Sequence, residues 1–389
     1  DILNIFKSFV PNDISITYSQ NNGVANSGVL GNPGFGNFWF YPSSQEQYGP
    51  SRSYQMGFSL YPGERAPNLT QISDVYRQGN ELGFSTTLNP VLPENITMSL
   101  NFKTRWGFTN NLIYASNATG FIGSPTSKTS SYTEGNSIFF AGDVENFSYA
   151  YDPGNPTSNR QNLTNSFKSD ISSFPFPNWT LTFSGLEKFA LFADFANSVT
   201  LDNSFISEYT ESKLVDINSI DIPNAQTVTQ AFSPLIGLNF NFKEVMGGNL
   251  TSTIRINSAV SYSLNPIGAN IQTLNTNEWS INANFAKSGF NLPLFGLSLS
   301  NDIAFALTIS KLTNEPVNYE YGTSGNGNKI AGNGSTVTTV NPSVQYSLST
   351  KVTMQLFYRY ISTNPTGNTA TTVPRTSKEG GLNIRILIQ

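Results

Sequence analysis

The chain has 389 residues and a formal charge of −4, with only 12 % charged residues against about 25 % in an ordinary soluble domain, while aromatics reach 13 %. It contains neither Cys nor His. That excludes a disulfide framework and thiolate metal centres, and it removes the commonest general base and metal ligand near neutral pH. The acidic balance and the lack of any basic run speak against a nucleic-acid partner.

No run of 18 apolar residues exists, so no transmembrane helix is expected. The signal that does recur is alternation with period two, the pattern of a strand whose faces meet different surroundings. After a helix-like stretch at 1–10, it is found at 14–20, 53–61, 81–89 and, more clearly, from Ile96. There Met98, Leu100, Phe102, Trp106 and Phe108 share one face, while Thr97, Asn101, Lys103 and Arg105 share the other. The span 109–177 reads as a long loop region that holds short hairpins at most. Residues 178–184 and 197–209 are strands, and Leu186, Phe189, Ala190 and Ala193 recur at helical spacing in the connection 186–196 between them.

In 232–243, Phe232, Ile236, Leu238, Phe240 and Phe242 alternate with Asn239 and Asn241. Leu250 to Leu264 is long for a globular strand, which averages about 5–6 residues. Its even positions include Ile254, Ile256 and Val260, and its odd positions include Arg255 and Asn257. The pattern continues at 271–286, 301–311 and 336–348. In 352–361 Leu356, Tyr358 and Tyr360 oppose Gln355 and Arg359. In 377–388 Leu382, Ile384, Ile386 and Ile388 oppose Asn383 and Arg385.

Short connections (89–95, 185–196, 244–249, 287–300, 349–351) largely alternate with longer ones rich in Gly, Asn and Ser (62–80, 109–177, 210–231, 312–335, 362–375). The link 265–270 is short and 21–52 is long. Short turns at one end and long loops at the other is the arrangement of an outer-membrane barrel, with the short turns periplasmic. The expected fold is therefore all-β, an antiparallel transmembrane β-barrel in the bacterial outer membrane, with about 13–15 strands from this chain. Met98, Leu100, Phe102, Ile254, Ile256, Val260, Leu356, Ile384 and Ile386 would face lipid. Lys103, Arg105, Asn239, Asn241, Arg255, Asn257, Gln355, Arg359, Asn383 and Arg385 would face the lumen, because a cation placed on the lipid face costs about 2–4 kcal/mol at the midplane. Trp39, Trp106, Trp179, Trp279, Tyr358 and Tyr360 are candidates for interfacial girdles, Trp179 and Tyr360 foremost.

About thirteen strands is an odd number, whereas a self-contained bacterial barrel has an even one. Either a strand is hidden (Phe147 to Tyr151 is a candidate), or residues 1–389 form one segment of a larger wall. The start at Asp1 shows no signal peptide, as in a mature chain or a piece of a longer one.

Catalytic and cofactor motifs fail on inspection. The stretches at Gly31 to Phe40 and Gly325 to Lys329 lack the Lys-Ser/Thr of a P-loop and its strand–helix setting. FSG at Phe183 to Gly185 makes no nucleophile elbow, and there is no His to complete a triad. The acidic pairs Asp143 with Glu145 and Glu208 with Glu211 read as solvated surface. No enzyme activity, cofactor or metal is expected.

Several segments carry a family resemblance: PNWTLTFSGLEKF (Pro177 to Phe189), VTLDNSF (Val199 to Phe205), FSPLIGLNFNFK (Phe232 to Lys243) and LTSTIRINSAVSYSL. They are followed by NLPLF, VNPSVQYSLSTKVTMQLFYRY and the ending GLNIRILIQ. In order and spacing these resemble the C-terminal part of the SprA/Sov family, the outer-membrane translocon of the Bacteroidetes type 9 secretion system, over roughly residues 177–389. The resemblance implies one wall of a very large barrel that conducts folded cargo proteins bearing C-terminal signals. Its implied partners are the rest of the translocon barrel, a PorV-type shuttle barrel, a plug protein and the lipid bilayer. The family's chains are several times longer, and its basic residues are sparse here. Two other readings remain at this stage: a self-contained porin-like or fatty-acid-transporter-like barrel of about fourteen strands, and a surface adhesin.

Overall fold

The computed structural model describes residues 9–30, 38–39, 50, 52–56, 58–59, 62–63, 65–66, 71–90, 96–115, 125–136, 138–173, 178–216, 222–294, 297–322, 327–349, 351–367 and 373–387. In chain order its elements are β1 (Phe9–Asn26), α1 (Arg52–Gln55), β2 (Gln71–Pro90), β3 (Thr97–Ala115), β4 (Ser127–Gly135), β5 (Ile138–Phe140), α2 (Pro156–Ser169), β6 (Ile171–Ser173) and β7 (Asn178–Ser184). A 3₁₀ turn (Leu186–Lys188) and α3 (Ala190–Ala193) follow, as the helical spacing there predicts. Then come β8 (Ala196–Asp216), β9 (Pro223–Phe242), β10 (Asn249–Asn265), β11 (Asn270–Leu294), β12 (Leu297–Glu320), β13 (Asn328–Ala331), β14 (Asn333–Ser347), β15 (Val352–Gly367) and β16 (Arg375–Ile386).

All strands but β5 and β6 join one antiparallel sheet in the order β1-β2-β3-β4-β8-β9-β10-β11-β12-β14-β15-β16, with β13 beside β12 and β7 between β3 and β8. β4 and β7 are two halves of one stave. β4 pairs the upper part of β3 as far as Arg105↔Gly135, and β7 resumes at Lys103↔Asn178. Both halves also pair β8. The sheet has fourteen strands among the described residues, within the 13–15 expected; with β4 and β7 sharing a stave these make twelve staves and a short β13 beside β12, and β1 runs upward from the short-turn end. The strand expected at 53–61 is instead the short helix α1 with bends. Phe147 to Tyr151 is not a wall strand either, and the helix-like stretch 1–8 lies outside the described residues.

One hydrogen-bonded row shows how residue pattern becomes architecture. It runs Leu88, Met98, Phe183, Leu201, Leu238, Ile254, Ile281, Ile309, Val340 and Tyr360, and ends at Lys378. Ten successive positions on one face are apolar or aromatic. The row one residue away carries Thr200, Asn239, Thr253, Asn282, Thr308 and Asn341 on the opposite face. A one-residue slip in any pair would exchange these sets, so the register is specified by the two patterns together.

The row also reveals strand tilt. On β3 it passes through Met98, with Leu100, Phe102, Trp106 and Phe108 above it on the same face. On β15 it passes through Tyr360, with Val352, Met354, Leu356 and Tyr358 below it. The apolar band thus crosses the hydrogen-bond rows obliquely, as it does wherever strands lean against a barrel axis. The segment FSPLIG sits where β9 places five residues, Phe232 to Ile236, against three on β10, Ile256 to Ser258. Pro234 belongs at such a bulge because it has no N–H for the ladder.

The staves outrun the band. β11 has 25 residues, about 80 Å at 3.3 Å each, where an apolar belt of about 25 Å is what a bilayer calls for. Above the band one face stays polar, the other becomes mixed, and the ladder continues, so β2, β8, β12, β15 and β16 extend into segments expected to be loops. The connection 210–231 shrinks to 217–222, and 287–300 to 295–296. The span 109–177 is likewise not one loop. It completes β3, supplies β4, and then leaves the wall between Gly135 and Asn178.

That excursion builds a small lobe from the β5–β6 hairpin and α2, packed on the face that carries the band but above it. Phe140, Val144, Phe147, Leu163 and Phe167 of the lobe form one cluster with Tyr209, Val228, Leu264, Ile271, Tyr319 and Tyr321 of β8 to β12 and their edge. Phe140 stacks on Phe167 at 5.0 Å and on Tyr262 of the wall at 4.7 Å. α2 begins with Asn155 accepting from Ser158 N–H and Pro156 in its first turn, an N-cap that satisfies otherwise orphaned donors. Phe167 is fully buried, so Phe167→Ala is expected to remove about 3–5 kcal/mol from the packing that clasps the lobe. Limited proteolysis will then cut within 138–173 while the wall strands stay protected.

Candidate functional site

The candidate lumen residues all stand on the polar face. Asn239 donates through Nδ2 to Thr200 Oγ1 at 3.0 Å and to Asp202 Oδ2 at 2.8 Å, and its Oδ1 accepts from Thr253 Oγ1 at 3.3 Å. Thr182 donates to Asp202 at 2.8 Å, Asn257 to Glu278 at 3.0 Å, and Thr308 to Asn282 at 2.9 Å. Short hydroxyl and amide side chains bridge adjacent staves in this way, to one another or to the carboxylates Asp202 and Glu278, and add to the ladder. Asn241 Oδ1 is buried and lacks a protein partner. Arg255 is exposed, Gln355 is opposite Asn383, Arg359 is opposite Glu379, and Arg385 is opposite Thr353.

The structure brings Arg105 of β3 into a groove on this face, with Lys103 paired beside it. Lys103 pairs with Glu81 at 2.9 Å, and Arg105 pairs with Glu208 of β8. The groove, of about 670 Å³, is lined by Arg77, Glu81, Arg105 and Glu208. Its floor is glycine: Gly79 is directly opposite Gly107, and a Cβ on Gly107 would lie 2.4 Å from the Gln78 carbonyl oxygen. Arg105 is thus one charge in an exposed network, where a single pair is worth about 0–1 kcal/mol.

The candidate lipid residues all stand on the opposite face. Leu356, Ile384 and Ile386 are more than half exposed, Ile256 is exposed, and Leu100, Phe102 and Ile254 are half-buried. Two depart from the expectation. Met98 is buried at the lower end of β3. Val260 lies above the band, flanked by Gln230 and Asn275 on its neighbours, because the apolar alternation of β10 outlasts the band. Trp179 stacks on Phe205 at 4.7 Å and donates through Nε1 to Asn203 at 2.8 Å. Tyr360 lies on the upper edge with Lys378 Nζ 6.0 Å from its ring.

Just above the band, beneath the lobe, lies a second site that the sequence did not disclose. Three rows on this face cross β3, β4 and β8: Trp106–Glu134–Tyr209, then Phe108–Tyr132–Glu211, then Asn110–Ser130–Lys213. With Lys168 and Ile171 of the lobe as one wall, most of these side chains line a cleft of about 580 Å³. Glu211, expected to be solvated, is buried. It accepts from Tyr209 at 2.6 Å and from Gln226 at 3.1 Å, and it pairs with Lys213 at 3.1 Å and Lys168 at 3.6 Å. Burial raises the carboxyl, but the hydrogen bonds from Tyr209, Gln226 and Lys213 outweigh it and hold Glu211 below the usual carboxylate range. Burial first, and then the 2.9 Å hydrogen bond to Glu134, push Tyr132 up to about 12. Both tyrosine hydroxyls therefore remain donors at neutral pH. Sequence reading ended β8 at 209, and the residues Tyr209, Glu211 and Lys213, which continue the alternation with polar side chains, were the available signal.

Among the described residues no group of three or more acidic, His or Cys side chains could hold a metal ion, and no helix is long and apolar enough to cross a membrane. No family model matches the chain, and no curated protein matches it. Among solved structures it is similar to OmpT (folded in vitro), an outer membrane protein of Vibrio cholerae. The identity is 11 % and the TM-score 0.18, over 81 % of this chain and 95 % of that one.

The lowered Glu211 carboxyl stabilises the lobe–wall contact at pH values above its unfolded value of about 4.3, and that stabilisation is lost as pH falls through the lower folded value. Protease sensitivity of residues 138–173 is therefore expected to rise between pH 5 and pH 3 in the native chain. In Glu211→Gln the rise will be flattened, and the lobe will be looser already at pH 7.

Proposed function

We propose that this chain forms twelve staves in the wall of a bacterial outer-membrane barrel that conducts proteins, as a passive conduit rather than an enzyme. In this reading the apolar band meets lipid, the polar face lines the lumen, and the short turns are periplasmic. The observation that carries it is the pair of unpartnered sheet edges. Among the described residues β1 pairs only β2, and β16 pairs only β15. Yet Ile14, Ile16 and Tyr18 on β1, and Leu382, Ile384 and Ile386 on β16, carry the band to both edges at 54 to 69 % exposure.

An edge strand inside hydrocarbon leaves backbone N–H and C=O groups unpaired at several kcal/mol each, so both edges need partner strands. Further strands of a larger barrel supply them here, consistent with the resemblance to the SprA/Sov translocon and its expected cargo, shuttle-barrel and plug partners. The lobe supports a conduit too, because it packs on the band-bearing face and so leaves the polar face uncovered. A lumen of amides and hydroxyls, with cations balanced by acidic neighbours such as Glu81, Glu208 and Glu379, offers weak hydrogen bonds, and passing protein would be held only briefly.

The even stave number favours a second reading, in which β1 and β16 pair with each other. Twelve strands would then enclose a lumen for small solutes, since diameter grows with strand number. Native purification in detergent followed by intact-mass measurement separates the two. A particle carrying more strands than this chain is expected, and a monodisperse, ion-conducting barrel of this chain alone overturns the translocon.

The face assignment has its own measurement. In denaturant refolding from lipid vesicles, Ile254→Arg is expected to cost about 2–4 kcal/mol, and its neighbour Thr253→Arg close to nothing. The reverse order would invert the barrel, and equal small effects would remove the chain from the membrane.

A further inference from the structure

We propose that the cleft between the lobe and the outer face of β3, β4 and β8 binds saccharide, and that the sugars it meets are those of outer-leaflet glycolipid. The orientation of the face rests on the outer-membrane reading above, whereas the chemistry of the cleft does not.

The lining itself narrows the ligand class. Phe108 and Tyr132 present rings at 40 and 37 % exposure, and the Tyr132 and Tyr209 rings lie 6.4 Å apart at 59°. Carbohydrate C–H faces stack on such rings, while the adjoining carboxylate, amide and hydroxyl groups take sugar hydroxyls. A purely hydrocarbon ligand would desolvate Glu134 without replacing its hydrogen bonds. Two carboxylates disfavour direct contact with a phosphate or an acidic sugar, so the neutral sugars of the glycolipid are the ones that stack here, and the ammonium groups of Lys168 and Lys213 disfavour a cationic peptide. With two acids and two amines the cleft is balanced in charge, so a neutral polyhydroxy ligand meets no unpaired charge.

Position narrows it again. Phe108 belongs to the band on β3 and also lines the cleft. The cleft therefore adjoins the band at its upper side, toward the sugars of the outer leaflet. Glu211 is already saturated by four protein groups, so it fixes Tyr209, Lys168 and Lys213 in place. The exposed Phe108, Tyr132 and half-buried Glu134 are left to meet the ligand.

The test uses the full chain in nanodiscs and two probes: lipopolysaccharide, and the lipid-free oligosaccharide released from it by mild acid. Saturation-transfer NMR with the oligosaccharide is expected to show transfer to sugar protons. Phe108→Ala and Tyr132→Ala should each weaken binding about tenfold, in keeping with 1–1.5 kcal/mol per aromatic contact, with strand content by circular dichroism unchanged. Binding of both probes assigns the cleft to sugar as such, and binding of lipopolysaccharide alone assigns it to the membrane-anchored headgroup. No binding of either, or binding that both substitutions leave unchanged, overturns the proposal. If the chain is monodisperse without detergent but still binds the oligosaccharide, the membrane reading fails and the cleft stands.

Discussion

The constraint on which the rest depends is the continuity of the backbone ladder across the wall. Each strand's N–H and C=O groups are committed to its neighbours, so the side chains have no choice of face once one register is set. The row from Leu88 to Tyr360 carries that commitment through ten strands, and the row beside it delivers Thr200, Asn239, Thr253 and Asn282 to the other side. The two surfaces are a single decision, made by pairing and read out twice. Oblique passage of the apolar band across those rows follows from strand tilt, because a level band must meet successive tilted strands at successive residues.

The same ladder explains how the wall carries an insertion. β4 ends opposite Arg105 and β7 begins opposite Lys103, so 42 residues leave and return with a break in pairing of only one residue on β3 and three on β8. The stave needs no contribution from the excursion. The excursion, however, needs the wall: α2 and a three-residue hairpin cannot bury Phe140, Leu163 and Phe167 alone, and they borrow Tyr209, Val228, Leu264 and Ile271 as the other half of a core. That borrowing is what creates a walled cleft on an otherwise open sheet.

Where residues met two different surroundings, the sequence was legible. Leu238 beside Asn239, Ile254 beside Arg255 and Leu356 beside Gln355 fall on opposite faces as the alternation requires, and every candidate cation stands with the polar set. Where both faces meet water, alternation has nothing to report. In the upper parts of β8, β12 and β16 apolar residues are sparse (Tyr209 and Tyr319 are buried there only by the lobe), their Thr, Asn and Ser content imitates a loop, and the strands were cut short there. The odd strand count came from 53–61, where a short helix imitates alternation, while β4 (SKTSSYTEG) went unread because it carries no apolar stripe. Glu211 was misread as solvated surface because its burial depends on Gln226 and a lobe helix that are distant from it in sequence, beside its near neighbour Tyr209.

The sequence by itself determined that the chain is all-β and antiparallel, which side chains share a face, and which end carries the tight turns. These depend on nearest-neighbour periodicity and local turn chemistry, both written in consecutive residues. Only the tertiary structure decided that 127–135 and 178–184 are one stave, that there are twelve, and that residues between them fold back over β8 to β12. It also decided that rings, carboxylates and lysines from three strands and a lobe converge on one cleft. Those facts rest on pairings between residues as far apart as Arg105 and Glu208, and no local pattern records which distant edge a strand will meet.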